Sequence, residues 1–261
     1  MPVLLLSPRF SDDSIALATE SSRLSWRVHR LHDRRPPARL AEEELVFYGE
    51  SLLTDTVGKR LGLALLEPAA DTLSLLPAEH VRRDVRFTTL GAARSERFPR
   101  FVKPADEKQF RAAVYPSAEA LPGSEILEDS LPVLTAEPVR WLDEYRCFVL
   151  EGQVVTASPY AWMGEREELP RAGFDLDAAR AFASEVITRA GDSFPPAVVL
   201  DVGRMEGRGW AVVELNPAWN SGLYACDPAG VLRVLQRASG TQRASSPFDA
   251  RWLRPLPDIE G

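Results

Sequence analysis

Two apolar segments near the C-terminal end constrain this chain most, because each carries an acidic residue inside an apolar run. They read AVVLDVGR and WAVVELNP, and MEGRG separates them. A short Gly-containing loop between two Val-rich runs predicts an antiparallel β-hairpin. If the loop centres on residues 206–208, Asp201 lies opposite Glu214 and Gly203 lies opposite Val212. The hairpin therefore brings two carboxylates together between apolar strands, where acids are uncommon.

Three oxygen-bearing side chains share one face of this hairpin. Side chains alternate along a strand, so Asn216 joins Asp201 and Glu214. Directly opposed residues have Cβ atoms about 5 Å apart, and two carboxylates there repel by about 3 kcal/mol at an effective dielectric constant of about 20. Two carboxylates and an amide oxygen suit Mg²⁺ or Mn²⁺. The alternative is a structural ion pair, with Arg204 or Arg146 as the counter-ion.

Composition argues against several classes of partner. The chain has 261 residues, a formal net charge of −7 and a pI near 5.2, so we expect no nucleic-acid partner. It has no apolar run of about 18 residues or more, so we expect no membrane association. Its two cysteines, Cys147 and Cys226, form no metal-binding pattern, and we expect a cytoplasmic location. The sequence leaves the oligomeric state open.

The first third of the chain alternates between strand and helix patterns. Val3–Ser7 is a short apolar strand, and Ser-Asp-Asp opens a helix over residues 11–23. WRVHRL and LVFYG are the next strands, followed by a helix over Glu50–Leu65. Such a unit is typically a parallel sheet covered by helices, so we assign residues 1–95 to a small β-α-β-α domain. Within it, residues 73–94 read as helical or irregular.

Strand patterns of antiparallel type dominate the next part of the chain. FPRFVKP, EILEDS and LPVLTAEPV each read as a strand. Gly152 divides EYRCFVLEGQVVTASPY into a second hairpin, and a helical apolar period predicts a helix over Asp177–Ala190. We assign residues 96–240 to this second domain. Residues 241–261 are rich in Ser, Arg and Pro and are expected to form a loosely ordered tail.

Two of the three lysines lie close together in FVKPADEKQF. The pattern places Lys103 at the end of a strand and Lys108 in the loop that follows. A strand-end ammonium that faces a cleft can bind phosphate oxygens, and the lack of a Gly-rich phosphate loop disfavours the phosphate-loop NTPase class. The alternative for Lys103 is a lysine on a solvated strand end.

The segments TAEPVRW and EYRCFVL supply two further candidates. Pro138 cannot donate to a β-ladder, so the backbone beside Val139 is free to bind an adenine edge, unless the segment is an ordinary bend at a sheet edge. Arg146 lies within a strand and must pair with an anion. That anion is either the pair of carboxylates at Asp201 and Glu214 or a ligand phosphate.

In chain order, these features are a lysine strand, a hinge with Glu, a Glu-x-Arg strand, a helix and an Asp…Glu-x-Asn hairpin. This order resembles the ATP-grasp superfamily from about Phe98 to Pro228. The segments SPRFSDDS and ELNPAWNSGLYACDP are similar to a compact clade of bacterial and phage ATP-grasp proteins. The resemblance implies an α/β (α+β) fold, in which the small N-terminal domain precedes ATP-grasp subdomains with antiparallel sheets.

The resemblance also implies a role for each candidate residue. Asp201, Glu214 and Asn216 would be the metal ligands. The nucleotide would be bound by Lys103 and Lys108 at its phosphates, by Glu137 and Val139 at the adenine, by Glu144 at the ribose and by Arg146 near the phosphate or acyl phosphate. Lys103 and Arg146 would be catalytic, because they neutralise charge that develops during phosphoryl transfer.

An enzyme of this kind would be an ADP-forming carboxylate–amine ligase that uses ATP and Mg²⁺ or Mn²⁺ and forms an acyl phosphate. Its partners would be small-molecule or peptide carboxylates and amines, with Asn220 or Ser221 on the acceptor side. The N-terminal lysine of larger relatives is not evident, and an arginine such as Arg86 is the candidate substitute.

Two alternatives to the ligase stay open. One is an ATP-dependent phosphotransferase of the same fold that joins no amine. The other is a non-catalytic nucleotide-binding module, which pairing between Asp201 and an arginine would favour.

Overall fold

The computed structural model describes residues 1–33, 35–105, 109–166, 173–241 and 247–256. Within these residues the strands form three sheets, of three, four and five strands. In the same part of the chain, no helix combines the length and the apolar character needed to cross a membrane.

The N-terminal sheet is parallel, as the sequence predicts. Strand β1 (Val3–Leu6) lies between β2 (Arg27–Arg30) and β3 (Leu45–Tyr48), and it pairs in parallel with both. Helices α1 (Asp12–Arg23) and α2 (Ser51–Leu61) follow β1 and β3. All four residues of β1 are buried, which explains its uninterrupted apolar sequence.

Local chemistry sets the ends of these two helices. Ser11 caps α1: its hydroxyl accepts from the Ser14 N–H at 3.2 Å, and the Ser14 hydroxyl accepts from the Ser11 N–H at 3.0 Å. Helix α2 ends at Leu61, so the prediction that it extends to Leu65 is wrong. The cause is Gly62, which adopts a left-handed φ of 62° and stops the helix.

The connection between the N-terminal sheet and the next sheet contains an unexpected strand. The sequence predicts that residues 73–94 are helical or irregular, and α3 (Thr72–Leu75), α4 (Ala78–Val81) and α5 (Leu90–Ala93) agree with that. Between them, however, β4 (Val85–Thr89) is a strand, so the prediction is wrong there. Its β-branched residues extend because a partner strand lies alongside, which local sequence does not reveal.

The four-stranded sheet is antiparallel in the order β4-β7-β5-β6. Its other strands are β5 (Arg100–Pro104), β6 (Ala113–Tyr115) and β7 (Pro132–Ala136). Strand β4 lies before the boundary predicted at residue 95, yet it pairs with β7 after that boundary.

The segment EILEDS is not a strand, which corrects a further prediction. The N–H groups of Ile126 and Leu127 both donate to the carbonyl of Gly123, at 3.0 and 3.1 Å, and this closes a turn. Ile126 is exposed, so the apolar residues that suggested a strand do not face a sheet partner.

The five-stranded sheet has the order β10-β9-β8-β11-β12 and holds both predicted hairpins. Its strands are β8 (Trp141–Leu150), β9 (Gln153–Trp162), β10 (Glu165–Arg166), β11 (Ala197–Met205) and β12 (Gly209–Asn216). Neighbouring strands are antiparallel throughout.

Two helices cover the faces of this sheet. Helix α6 (Leu176–Ala190), predicted from its apolar period, packs in the core cluster that contains Cys147 and Leu200. Helix α7 (Pro228–Ala238) lies on the other face, in the cluster that contains Phe148 and the strands of the N-terminal sheet. The N-terminal sheet is therefore joined to the large sheet through α7.

A β-bulge changes the register of the β11–β12 hairpin. Asp201 pairs with Glu214, as predicted. One extra residue on β12 then shifts the register, so that Gly203 lies opposite Ala211 and not opposite Val212. The prediction of a uniform register is wrong toward the turn because it assumed a ladder without a bulge.

The C-terminal segment is not a loosely ordered tail where the structure describes it. A 3₁₀ helix covers Pro247–Trp252, and Leu253 bridges to Leu66. Arg254 is half-buried and binds Asp55 at 3.0 Å and Glu67 at 3.2 Å. Low sequence complexity hid these anchors, each of which depends on a distant part of the chain. The domain limits at residues 95 and 240 stay predictions.

We predict that Arg254→Ala lowers the free energy of unfolding by about 2–3 kcal/mol, because charge-assisted hydrogen bonds to two carboxylates are lost. Urea unfolding followed by circular dichroism measures this. Arg251→Ala is the matched control: Arg251 is exposed and lies over the rings of Phe248 and Trp252, so its loss should cost less than about 1 kcal/mol. Equal losses in the two variants would contradict the packing described here.

Candidate active site

The first contact of the site joins the four-stranded sheet to the five-stranded sheet. Lys103, near the end of β5, donates from Nζ to Glu214 Oε2 on β12 at 2.8 Å. Burial would raise the pKa of Glu214, but the Lys103 ammonium outweighs burial and holds that pKa at about 2. Glu214 is therefore a carboxylate at any pH near neutrality, and Lys103 faces the cleft rather than bulk solvent.

The second contact is a buried pair within the five-stranded sheet. Arg146 on β8 binds Asp201 on β11 through two hydrogen bonds, Nε to Oδ1 at 3.0 Å and Nη2 to Oδ2 at 2.7 Å. A third donor, Nη1, reaches the carbonyl of Gly222 at 3.0 Å. Burial raises the pKa of Asp201, and the Arg146 guanidinium opposes that rise. The geometry is the two-pronged one that arginine forms with carboxylates.

Asn216 connects the two carboxylates. Its Nδ2 donates to Glu214 Oε1 at 3.0 Å and lies 3.4 Å from Asp201 Oδ2. The three predicted metal ligands therefore converge on one point of the hairpin. Within the described part of the chain, no cluster of three His, Cys, Asp or Glu side chains is placed to hold a metal, so the third oxygen has to be the amide oxygen.

This donor set fits a hard divalent cation. Two carboxylates and an amide oxygen match the oxygen preference of Mg²⁺. Lys103 and Arg146 neutralise the two carboxylates in this structure, and the Asn216 amide points its N–H at them. A cation would require Asn216 to turn its oxygen inward, a rotation that exchanges two nearly isosteric groups.

Two tyrosines that sequence reasoning missed enclose Arg146. The rings of Tyr160 and Tyr224 stack with centroids 4.9 Å apart, and the Arg146 guanidinium lies 4.9 Å from the Tyr224 ring centre. The Tyr160 hydroxyl donates to Glu144 Oε2 at 2.9 Å, which fixes the predicted ribose ligand beside Arg146. Tyr224 has a left-handed φ of 52°, a strained backbone for tyrosine that tends to occur at functional sites.

The predicted adenine hinge lies at the edge of the site. Glu137 binds Arg208 of the β11–β12 turn through contacts of 2.6 and 2.9 Å, and this hydrogen-bonded partner lowers the pKa of Glu137. Its N–H donates to the Asp84 carbonyl at 2.9 Å. The N–H and carbonyl of Val139 bond to no described backbone or side-chain group, so both are open to a ligand.

Arg83 holds the bulge that brings Glu214 into place. Its guanidinium donates to the carbonyls of Val212 and Val213, at 2.7 and 2.9 Å, where the register shifts. Burial lowers the pKa of Arg83 to about 10, and the nearby carboxylates of Glu144 and Glu214 oppose that change. Arg83 was visible in the sequence only as one arginine in an Arg-rich chain, and no local pattern marked it.

The remaining sequence-based candidates are distributed as follows. Lys108 lies outside the described residues. Arg86, the candidate substitute for the N-terminal lysine, is exposed and pairs with Asp84, so it does not reach the carboxylates. Arg204, one alternative counter-ion, binds Asp143 instead of the site. The other alternative counter-ion, Arg146, does pair with Asp201.

Comparison with known proteins identifies the family. A family model for an ATP-grasp domain, the second family of its clade, matches residues 80–234. This range covers more than half of the chain, which therefore belongs to that ATP-grasp family, as the sequence order predicted. A search of curated proteins gives no significant match.

Solved structures show the same fold at low sequence identity. D-cycloserine synthetase DcsG is 16% identical, with a TM-score of 0.59 over 90% of this chain and 99% of that one. D-alanine–D-alanine ligase from Bacillus anthracis, complexed with ATP, is 14% identical, with a TM-score of 0.51 over 91% and 95%. The ATP-grasp ligase PsnB, complexed with minimal precursor, Mg and ADP, is 14% identical, with a TM-score of 0.50 over 90% and 97%.

We predict that Arg83→Ala lowers the free energy of unfolding by about 2–3 kcal/mol, because the carbonyls at the bulge lose their donor. It should also weaken Mg²⁺ binding in the presence of ATP by about tenfold, since Glu214 is no longer held opposite Asp201. Chemical unfolding and metal titration measure the two effects. Arg86→Ala, which removes an exposed ion pair, should change stability by less than about 1 kcal/mol. Unchanged metal affinity in Arg83→Ala would show that the bulge does not depend on this arginine.

Proposed function

We propose that this protein is an ADP-forming carboxylate–amine ligase that uses ATP and Mg²⁺, or Mn²⁺, and forms an acyl phosphate. The observation that carries the proposal is the convergence of Asp201, Glu214 and Asn216 with two cations, Lys103 and Arg146, between the two antiparallel sheets. Three oxygen ligands beside two phosphate-neutralising side chains are what phosphoryl transfer to a carboxylate requires.

The metal ligands in this proposal are Asp201, Glu214 and Asn216. A bound Mg²⁺ would neutralise phosphate oxygens and polarise the transferring phosphoryl group. Lys103 would turn from Glu214 toward the phosphates, where its compact ammonium balances negative charge. Arg146 keeps two N–H groups that its three contacts do not use, and these would face the developing acyl phosphate.

The nucleotide would lie along the cleft between the sheets. The open backbone groups of Val139 would bind the adenine edge, and Glu137 would bind there if Arg208 releases its carboxylate. Glu144, oriented by Tyr160, would accept from the ribose hydroxyls. Lys108 is assigned to the phosphates from the family pattern alone.

No protein nucleophile takes part in this reaction. Burial raises the pKa of both thiols, Cys147 and Cys226, so neither is a thiolate at neutral pH. His80 is buried edge-on against Phe182, away from the carboxylates. The carboxylate substrate itself attacks the γ-phosphorus, and the amine then displaces phosphate from the acyl phosphate.

Similar structures support ATP and Mg²⁺ as reactants and a small-molecule or peptide substrate. The similar proteins include a D-cycloserine synthetase, a D-alanine–D-alanine ligase complexed with ATP, and a ligase complexed with a precursor, Mg and ADP. We propose the same class of chemistry here, in the cytoplasm, where ATP is available.

One observation favours a second candidate function, a nucleotide-binding module without catalysis. Arg146 occupies both carboxylate oxygens of Asp201, which is the pairing that a purely structural role predicts. In that case ATP would bind without needing a divalent cation, and the hairpin acids would serve only as ion pairs.

Calorimetric titration with ATP, with and without Mg²⁺, separates the two candidates. The ligase predicts Mg²⁺-dependent binding that weakens at least tenfold in Glu214→Ala. Glu206→Ala is the matched control, because Glu206 is exposed on the same hairpin and pairs only with Arg140. Binding that ignores both Mg²⁺ and Glu214 would favour the non-catalytic module, and no binding at all would overturn both candidates.

Turnover then tests the reaction itself. Glu214→Ala should abolish Mg²⁺-dependent ADP formation and leave the circular dichroism spectrum unchanged, because the Glu214 side chain is partly exposed. Asp201→Ala should also abolish turnover, but it strands the buried Arg146 and costs about 3–5 kcal/mol of stability. Product analysis distinguishes the ligase, which makes an amide, from a phosphotransferase, which accumulates a phosphorylated compound. ADP formation that survives in Glu214→Ala would refute the site assignment.

A further inference from the structure

A hydrogen-bond junction connects the N-terminal domain to the loop after the carboxylate hairpin. The Tyr48 hydroxyl, at the end of β3, lies 3.2 Å from Asp13 Oδ2 on α1 and 3.2 Å from the carbonyl of Ser221. A hydroxyl has one hydrogen, so Tyr48 can donate to only one of these acceptors at a time. Both distances are also longer than the usual O–H···O contact of about 2.7–2.8 Å. The junction therefore holds more acceptor capacity than its own donor can satisfy.

Asp13 differs from the other carboxylates of the site in having no cationic partner. Asp201 binds Arg146, and Glu214 binds Lys103. Among the described residues, the Asp13 carboxylate receives one side-chain hydrogen bond, from Tyr48, and forms no ion pair. A partly buried carboxylate without a counter-ion calls for a positive group from outside the chain.

Gly222 keeps a gap open between Asp13 and Arg146. A Cβ atom at this position would lie 3.4 Å from Asp13 Oδ2 and 3.7 Å from Arg146 Nη1. Its backbone φ is not in the left-handed region, so glycine is not needed there for the conformation. The absence of a side chain instead leaves space beside the guanidinium that would face the acyl phosphate.

The charge around this gap is negative on the N-terminal side. Burial, together with the nearby carboxylates of Asp13 and Glu50, raises the pKa of Tyr48 well above its usual range. Tyr48 is thus a neutral hydroxyl whose oxygen can also accept a hydrogen bond. Asp13, Tyr48 and the Ser221 carbonyl together present acceptors and one negative charge, which suits an ammonium group and not an anion.

We infer that Asp13, with the Tyr48 hydroxyl and the Ser221 carbonyl, binds the ammonium group of the acceptor amine next to Arg146. The inference rests on the proposed function and names the acceptor class: an amine that arrives as a cation. Asp13 lies on α1 and Arg146 on β8, so the acceptor would be held between the N-terminal domain and the five-stranded sheet. This use of Asp13 goes beyond its role in the first turn of α1, which the exposed Asp12 shares.

The test uses the full-length protein and hydroxylamine, a small nucleophile that is uncharged at neutral pH. In the ligase reaction a carboxylate, ATP and hydroxylamine give a hydroxamate, ADP and phosphate, and a panel of carboxylates supplies the donor. The probe of the subsite is butylammonium, with n-butanol as its neutral counterpart. We expect butylammonium to inhibit hydroxamate formation competitively with hydroxylamine, at least tenfold more strongly than n-butanol.

Matched variants then assign the inhibition to Asp13. In Asp13→Asn the inhibition constant of butylammonium should rise at least tenfold, and in Gly222→Ala it should rise because the gap narrows. Asp12→Asn removes the same charge from the same helix turn but contacts neither Tyr48 nor Gly222, and it should keep the wild-type inhibition constant.

The outcomes separate this inference from the function on which it rests. Failure of the wild-type protein to form any hydroxamate would overturn the ligase and the inference together. Hydroxamate formation without preferential inhibition by butylammonium would overturn the inference alone. Equal inhibition constants in Asp13→Asn and Asp12→Asn would do the same, because the effect would then be one of general charge.

Discussion

The structure is organised around the repulsion between two carboxylates on one hairpin. Asp201 and Glu214 lie opposite each other between apolar strands, where the surrounding dielectric is low. Each is neutralised by a different element: Asp201 by Arg146 from the neighbouring strand, and Glu214 by Lys103 from the other sheet. Because one of these cations comes from a separate sheet, the need to neutralise the hairpin also brings the two sheets together and creates the cleft.

Much of the fold could be predicted because its signals are local. The parallel N-terminal sheet, the helix over 176–190 and both long hairpins follow from apolar periods and turn residues within single segments. The errors share a cause. Strand β4 and the C-terminal segment are ordered by partners far along the chain, and EILEDS lacks the partner its pattern suggested. Local patterns record propensity, whereas these elements depend on contacts made only after folding.

The candidate site divides in the same way. The convergence of Asp201, Glu214 and Asn216 could be expected from strand alternation, and the family order pointed to Lys103 and Arg146. The groups that complete the site could not be expected. Arg83 reaches a bulge that a uniform register hides, and Tyr224 and Asp13 approach Arg146 from distant segments. They were missed because their positions depend on how whole elements pack against one another.

The contact between Lys103 and Glu214 also has a consequence for the order of events. A single ammonium cannot serve a carboxylate and a phosphate at full strength at once. A phosphate that attracts Lys103 leaves Glu214 without its partner, and a divalent cation that takes Glu214 releases Lys103. Each arrival therefore favours the other, and by reciprocity the coupling is the same in both directions. The two sheets thus exchange one internal tie for a bridge made by the ligands themselves.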